Sequence, residues 1–149
     1  FAANSAVVST PTVKLVMRLI EGEFPNYRQV LPKASKHRII VSSDTLSHVL
    51  RRVQLFAAEG GRGVRLQVEP GKLTISARNP DLGEAHEEID LDYVGETVSI
   101  GFNARYLLDC LGVFHAKEVE IGLIDDLSPV QIRPTDDPDA LAVVMPMRL

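Results

Sequence analysis

The chain has 149 residues, of which 45% are hydrophobic and 24% are charged, and its formal net charge is −4. This composition is that of one ordinary globular domain, without a run of apolar residues long enough to span a membrane and without a signal peptide. The acidic balance argues against a DNA reader with a strong basic patch, but it allows positive charge on one small face.

The N-terminal part of the chain predicts one strand followed by a connection. One face of residues 13–20 is apolar throughout and the other is mixed, since Val13, Leu15, Met17 and Leu19 alternate with Lys14, Val16, Arg18 and Ile20; this is typical of a strand with one face more deeply buried. A turn at Glu21-Gly22-Glu23 follows, and Pro25 interrupts the pattern. Residues 26–36 carry Pro32, two lysines and a serine, which predicts a linker. Because the chain starts at Phe1 and not at Met, we expect a piece of a longer protein.

The next sixty residues predict a strand, a helix and three further strands. Residues 38–42 form a short β-branched strand, and Ser43 is the expected N-cap of the helix. The apolar stripe of this helix comprises Leu46, Val49, Leu50, Val53 and Ala57. Gly60-Gly61 is expected to end the helix. The strands are expected at residues 64–68, 73–77 and 85–91, with a hairpin turn at Glu69-Pro70-Gly71.

The remaining residues repeat the same order of elements. Residues 97–102 form a strand, and Asn103 is the N-cap of a second helix, 60 residues after Ser43. The stripe of this helix comprises Ala104, Leu107, Leu108, Leu111 and Phe114. Further strands are expected at residues 119–123, 130–132 and 141–145. Two β-α-β-β-β halves predict an α+β domain, pseudo-symmetric, with two helices packed on antiparallel sheets.

Two groups of apolar residues are not accounted for by this predicted core. The second helix carries an additional ridge of Tyr106, Cys110 and Val113, which either extends the core or lines a groove. The C-terminus, residues 143–149, is apolar almost to its last residue, whereas most termini are polar and frayed. It contains Met145 and Met147, whose unbranched side chains adapt to varied apolar partners. This tail either closes the core of the domain or forms part of a pocket.

Several short motifs resemble a known family when they are taken in order. They are Glu21-Gly22-Glu23-Phe24-Pro25-Asn26-Tyr27, Val30-Leu31-Pro32, Arg62-Gly63-Val64-Arg65-Leu66, Asn79-Pro80, Gly101-Phe102-Asn103 and residues 143–149. Their combination resembles the C-terminal portion of the bacterial DNA sliding clamp, the beta subunit of DNA polymerase III, from about Val13 to the end. The resemblance implies the DNA-clamp fold. It assigns residues 1–25 to the end of the middle domain, 26–36 to a linker and 37–149 to the third domain.

The resemblance also implies a function without catalysis and without a cofactor. The clamp is a head-to-tail homodimeric ring in the bacterial cytoplasm that encircles duplex DNA independently of sequence and confers processivity in DNA replication. Its partners are the alpha subunit of DNA polymerase III, the delta subunit of the clamp loader and other proteins with a clamp-binding motif; no membrane is involved. Because the tether is topological, few phosphate contacts are needed, which fits a net negative chain.

The resemblance places a peptide-binding pocket at the C-terminal tail. The matching positions are Pro25, Val30, Asn103, Tyr106, Leu127, Pro129, Val143, Met145, Met147 and Arg148. Val30, Val143 and Met145 are expected to form an apolar floor for a leucine or phenylalanine. Tyr106 offers a flat wall, while Asn103 and Arg148 supply hydrogen bonds at the rim. Gln29 and Gly61 depart from the commonest residues of the family and leave the preferred motif open.

Two further surfaces follow from the resemblance and from the helical positions. Arg51, Arg52 and Arg105 lie on the two helices and are the expected DNA-facing set, unless they are ordinary solvated charges. Leu55 and Phe56 match the dimer interface of the family, although ordinary burial of Phe56 explains its position equally well.

Enzyme and metal sites are not indicated. The four histidines lack metal-ligand spacing, and His86-Glu87-Glu88 lies in a strand, where neighbouring residues face opposite sides. Asp136-Asp137-Pro138-Asp139 lacks the glycine and the distal glutamate of a calcium loop. The alternative from another class is a stand-alone peptide-binding interaction domain unconnected with DNA.

Overall fold

The computed structural model describes residues 4–23, 26–29, 31, 34–57 and 63–149. The strands in these ranges are β1 (Ser5–Ser9), β2 (Lys14–Arg18), β3 (His37–Ser42), β4 (Gly63–Glu69), β5 (Lys72–Asn79), β6 (Gly83–Asp90), β7 (Val98–Asn103), β8 (Glu118–Leu123), β9 (Val130–Pro134) and β10 (Ala142–Val144). The helices are α1 (Ser43–Val53) and α2 (Ala104–Phe114), and single 3-10 turns occur at Tyr27–Gln29 and Gln54–Phe56. The predicted repeat is confirmed, because β3-α1-β4-β5-β6 is followed by β7-α2-β8-β9-β10.

The two repeats exchange their first strands. One antiparallel sheet has the order β6-β5-β4-β7, and the other has the order β10-β9-β8-β3. Each sheet therefore contains three strands of one repeat and the first strand of the other. The pairing is continuous along both exchanged strands, from Gly63 opposite Asn103 to Val68 opposite Val98, and from His37 opposite Leu123 to Ser42 opposite Glu118.

The core lies between the helices and the sheets. Strand residues alternate between buried and exposed positions, as in β4, where Val64, Leu66 and Val68 point inward. Leu46 and Leu50 of α1, with Leu107 and Leu111 of α2, complete the same cluster. Burying a side chain of this size contributes about 1.5–3 kcal/mol. The predicted α+β fold with two helices on antiparallel sheets is confirmed.

The N-cap of α1 is Ser42, so the prediction of Ser43 is wrong by one residue. Ser42 has extended backbone angles and accepts a hydrogen bond from the backbone N–H of Thr45 at 3.3 Å, whereas Ser43 is buried as the first helical residue. The N-cap of α2 is Asn103, as predicted, and it accepts from the N–H of Arg105 at 3.0 Å. The caps are therefore 61 residues apart, and not 60.

The end of α1 also differs from the prediction. The α-helix ends at Val53, and the 3-10 turn at Gln54–Phe56 tightens the chain before Ala57 turns to extended geometry. The predicted stop at Gly60-Gly61 lies outside the described residues, and the α-helix has ended before it.

The hairpin of β1 and β2 corrects the prediction of a buried face. The strands pair from Ser5 opposite Arg18 to Ser9 opposite Lys14, but every residue of β2 is exposed. Leu15, Val16 and Met17 of β2 are all apolar, yet in the described part of the chain they are not covered by a second layer, so burial does not follow from the apolar pattern here. No helix among the described residues is long and apolar enough to cross a membrane.

Candidate functional site

The C-terminal tail leaves its own sheet and lies across the other one. After β10, the backbone N–H of Met147 donates to the carbonyl oxygen of Gly101 in β7 at 2.8 Å. A Cβ atom at Gly101 would collide with the carbonyl oxygen of Met147, and one at Gly63 would collide with the side chain of Leu149. These two glycines form the seat of the tail: at Gly101 a residue with a Cβ atom does not permit the observed approach of the tail backbone, and at Gly63 the contact is with the end of a side chain.

In the sequence, both glycines occur in short motifs, and those motifs alone predict no structural role for them. Their positions in strands that alternate between buried and exposed residues indicate that role. Gly63 and Gly101 fall on the faces opposite the buried Val64 and Phe102, where a charged or polar residue is typical. A pair of glycines on an outer sheet face indicates that another segment of backbone covers it.

The tail separates two clefts on the outer face of the sheet. One cleft, of about 550 Å³, is lined by the tail residues Met147 and Leu149 together with Arg65 and Arg78. The other, of about 430 Å³, is lined by Leu127, Met147 and Arg148. Leu127, Met147 and Arg148, three of the predicted pocket residues, therefore lie around one cleft. The apolar side chains of the first two lie beside the guanidinium group of Arg148.

The loop that carries Leu127 is held by one carboxylate. Asp125 accepts hydrogen bonds from the backbone N–H groups of Leu127 at 2.9 Å and Ser128 at 2.6 Å, and from the Ser128 hydroxyl at 2.9 Å. The bond from Leu127, followed by those from Ser128, lowers the pKa of Asp125 below its ordinary value. This loop presents Leu127 with 60% of its surface exposed, so the apolar side chain is available for contact.

The other predicted pocket residues lie around the start of α2 and along β10. Asn103 caps α2, and Tyr106 lies in its first turn with 57% of its surface exposed. Met145 follows β10 and is 59% exposed, whereas Val143 is half-buried opposite Gln131. α2 packs against β10, the strand that Met145 follows. Pro129 is half-buried just before β9. Pro25 and Val30 lie outside the described residues, as does Gly61.

The three arginines predicted to face DNA have different surroundings. Arg52 donates from Nε to a Glu87 carboxylate oxygen at 2.6 Å and pairs with the other oxygen through its terminal nitrogen. This hydrogen bond, more than the charge itself, lowers the pKa of Glu87 and raises that of Arg52. Arg105 lies 3.8 Å from Asp109 on the same helix. Arg51 forms no ion pair within the described residues and lines a cleft between the two helices.

The predicted dimer residues lie beside an edge strand. Leu55 is 71% exposed in the 3-10 turn after α1, and Phe56 is half-buried against the core. This turn contacts β5 and β6, and β6 is the outer strand of its sheet. The outer strand carries Glu84, Glu87 and Glu88.

His37 and Tyr93 carry side chains capable of acid–base chemistry, but both are held in hydrogen bonds within the fold. The Tyr93 hydroxyl donates to the carbonyl oxygen of Glu96 at 2.7 Å and so accepts from Nδ1–H of the buried His37 at 2.7 Å. Burial raises the pKa of Tyr93, and burial likewise raises that of the half-buried Cys110 thiol. The described ranges contain no group of three or more histidine, cysteine, aspartate or glutamate side chains that could hold a metal ion.

The chain is similar to proteins of one family over most of its length. The family described as DNA polymerase III beta subunit, C-terminal domain, matches residues 28–148. The beta sliding clamps of Proteus mirabilis and Escherichia coli K12 are 42% and 41% identical over 132 residues, which are 89% of this chain and 36% of each of those proteins. The chain therefore spans about a third of the length of these relatives.

Solved structures give the same result for the fold. A crystal structure of the DNA polymerase III beta subunit from Pseudomonas aeruginosa superposes with a TM-score of 0.91 at 36% identity, covering 98% of this chain and 40% of that one. A sliding clamp from the same organism, solved bound to griselimycin, superposes with a TM-score of 0.89 at 36% identity, covering 99% of this chain and 40% of the other. The chain thus belongs to the family of DNA polymerase III beta subunits, the beta sliding clamps, and the matched region is their C-terminal domain.

Proposed function

We propose that this chain is the C-terminal part of a sliding clamp, a processivity factor of DNA replication that encircles duplex DNA. Residues 1–25 then end the middle domain, 26–36 form the linker and 37–149 form the third domain. The observation that carries the proposal is the strand-exchanged pair of β-α-β-β-β repeats, which superposes on bacterial clamps with family-level identity. The role requires no catalysis, because the ring acts by topology.

The activity proposed for this part of a clamp is the binding of linear peptides at the C-terminal tail. Val143 and Met145, with Val30, form the apolar floor, and Tyr106 forms a wall. Asn103 and Arg148 hydrogen-bond a glutamine or a backbone carbonyl at the rim, and Leu127, Pro129 and Met147 extend the apolar surface, with Pro25 at the linker side. The exposure of Tyr106, Leu127 and Met145 supports this, because large apolar side chains that stay exposed are available to an apolar partner. The structure of a similar clamp with griselimycin bound also supports it.

The partners follow from this pocket. They are the alpha subunit of DNA polymerase III, the delta subunit of the clamp loader and other proteins that carry a clamp-binding motif. The ring itself closes as a homodimer through Leu55 and Phe56 beside the acidic outer strand β6, which offers both an unpaired strand edge and carboxylates to a basic partner surface. The full-length protein is required for that closure.

The peptide proposal is tested by calorimetric titration of the chain with a short peptide that carries a glutamine followed by leucine and phenylalanine. We expect Met145→Ala to weaken binding by about 1–3 kcal/mol, the usual range for a residue in an anchor pocket. Val94→Ala is the matched control, because Val94 is 93% exposed and belongs to none of the predicted binding surfaces. Equal affinity of both variants and the unmodified chain, with normal folding, would contradict the assignment of the tail.

The ring proposal is tested with the full-length protein. After loading, the clamp should remain on circular duplex DNA and leave when the DNA is cut, because a topological tether has no end to slide from on a circle. Dissociation at the same rate from both DNA forms would contradict encirclement.

A further inference from the structure

Two arginines lie on the outer sheet face beside the seat of the tail. Arg65 of β4 is paired opposite Ser76 of β5, and Arg78 follows two residues later on the same face of β5. Both arginines line the cleft of about 550 Å³ that is also lined by the tail residues Met147 and Leu149. Neither arginine belongs to the predicted peptide pocket or to the set predicted to face DNA.

The guanidinium groups of these two arginines are available to a ligand. Both side chains are exposed, and Arg65 donates a long hydrogen bond of 3.4 Å to the Ser99 hydroxyl. Glu84 is the acidic side chain that lines the cleft, and it lies opposite Arg78 in the pairing of β5 with β6. Neither Glu84 nor any other described acidic group, the terminal carboxylate of Leu149 included, forms an ion pair with either arginine.

The lining of this cleft fits an acidic side chain of a peptide. A planar guanidinium group donates two parallel hydrogen bonds to a carboxylate, which gives a defined geometry as well as a charge. Met147 and Leu149 supply apolar surface for the methylene groups of a glutamate, and Leu149 is 56% exposed. The combination of guanidinium groups and apolar surface therefore favours glutamate or aspartate over a purely apolar side chain.

The cleft also continues the proposed peptide pocket across the tail. Arg65, Met147 and Leu149 line both clefts beside the tail, and the second cleft includes the predicted pocket residues Leu127 and Arg148. A peptide held on the Leu127 side therefore has one segment of backbone to cross. Because an extended residue spans roughly 3.3 Å, about three residues suffice to cross a chain that is roughly 10 Å wide with its side chains.

We propose that this cleft binds an acidic residue of the same partner peptide, a few positions outside its anchor residues, through Arg65 and Arg78. The inference rests on the proposed function and adds a preference at a flanking position. Among peptides with the same leucine and phenylalanine anchors, the one with an acidic flank binds more tightly. A single pocket can then rank partners that compete for it.

The test uses the full-length clamp and peptides that share the glutamine, leucine and phenylalanine of the anchor segment. Each end of the peptide is extended in turn by three glutamates or, as the uncharged match, by three glutamines. At one of the two ends we expect the glutamate peptide to bind on the order of fivefold more tightly in calorimetric titration, since exposed ion pairs each contribute little. The preference should shrink as salt is added. The net charge of −4 by itself predicts the opposite order.

Two double variants with equal charge loss assign the preference to the cleft. Arg65→Gln with Arg78→Gln should bring the affinity ratio of the glutamate and glutamine peptides to about one, because both proposed ion pairs are lost. The control is Lys117→Gln with Arg133→Gln, two residues that line neither cleft beside the tail. The control should keep the ratio of the unmodified clamp, and thermal unfolding checks that both variants fold.

Several results would overturn the inference and leave the proposed function standing, provided that the peptide without an extension still binds. They are equal affinity of the glutamate and glutamine peptides at both ends, a ratio that survives in the Arg65 and Arg78 variant, and a ratio that falls equally in both double variants. Binding of single-stranded DNA that depends on the two arginines, without a preference among the peptides, would assign the cleft to nucleic acid instead. Failure of the peptide without an extension to bind the unmodified clamp would overturn both the inference and the proposed pocket.

Discussion

The two repeats of this domain share an interior and differ on their outer surfaces. Leu46 and Leu50 of α1 occupy the positions of Leu107 and Leu111 of α2, each 61 residues later, and all four are buried. Outside the core, α1 ends in two arginines, whereas α2 presents exposed Tyr106 and Val113. The interior is shared between the repeats because it must pack, whereas the outer faces differ and carry the two proposed binding surfaces.

The last strands of the repeats differ in the same way. β6 has eight residues and ends its sheet with an acidic edge, while β10 has three residues and continues into the tail through Pro146. Proline cannot donate to a neighbouring strand, so it stops β10 and releases the tail toward the other sheet. The proposed dimer site and the proposed peptide site are therefore both associated with the last strand of a repeat, β6 in the first repeat and β10 in the second.

The shared interior predicts equal and large losses of stability. Leu46→Ala and Leu107→Ala should each lower the free energy of unfolding by about 2–5 kcal/mol, since both leave a cavity in one continuous core. Urea denaturation measures both. A loss below about 1 kcal/mol in one variant only would show that the two repeats are not equivalent in packing.

The seat of the tail predicts a loss of peptide binding without loss of the core. Gly101→Ala places a methyl group against the carbonyl oxygen of Met147, so the tail must move, and peptide affinity should decrease on the order of tenfold, or about 1.4 kcal/mol. Gly112→Ala is the control, because a Cβ atom there meets open space. It should stabilise α2 by about 0.5–1 kcal/mol and leave affinity unchanged. Equal peptide affinity of the two variants would contradict the role of the seat.

The two N-caps separate stability from binding. Ser42→Ala and Asn103→Ala should each cost about 1 kcal/mol of stability, because each removes an acceptor for a free backbone N–H. Only Asn103→Ala should also weaken the peptide, since only Asn103 lies at the proposed pocket. Thermal unfolding and the calorimetric titration check the two effects, and weaker peptide binding in both variants would show an indirect cause.

The smallest expected effect concerns the ion pair of Arg52 with Glu87, which has no counterpart at Val113, the equivalent position in α2. Because the folded pKa of Glu87 lies below its ordinary value of 4.5, the pair stabilises the fold above that pH, and this contribution is lost as the pH falls through the lowered pKa. Glu87→Gln should therefore be less stable than the unmodified chain at pH 7 and equal to it in acid. Glu84→Gln on the same strand is the control. A stability difference that is the same at every pH would contradict the assignment.

Much of this fold could be predicted from local patterns. Alternation gave β4 and β5, and the helical stripes gave α1 and α2, because both periods report which side chains are buried. The patterns failed by one residue at Ser42, where two adjacent serines offer the same hydroxyl and only backbone geometry decides which one caps the helix. They failed on β2 because alternation reports which face is apolar and not whether another layer covers it.

The candidate site was less accessible to sequence reasoning. The tail was singled out because an apolar terminus is unusual, but its seat on Gly63 and Gly101 depends on the other repeat, far away in sequence. The pairing of Arg52 with Glu87 spans 35 residues and separates one arginine from its neighbour Arg51. Such contacts are set by the arrangement of the sheets, which no local pattern contains.

The exchange of first strands also determines when the domain can form during protein synthesis. β3 must wait for β8, which is complete only at Leu123, so its apolar side chains Ile39 and Val41 stay without their sheet for most of the time that the domain is being translated. β7 can pair with β4 as soon as it is translated, whereas the tail closes last. Folding is thus a late event that joins distant parts of the chain, which slows it and lengthens the interval in which chaperones can act.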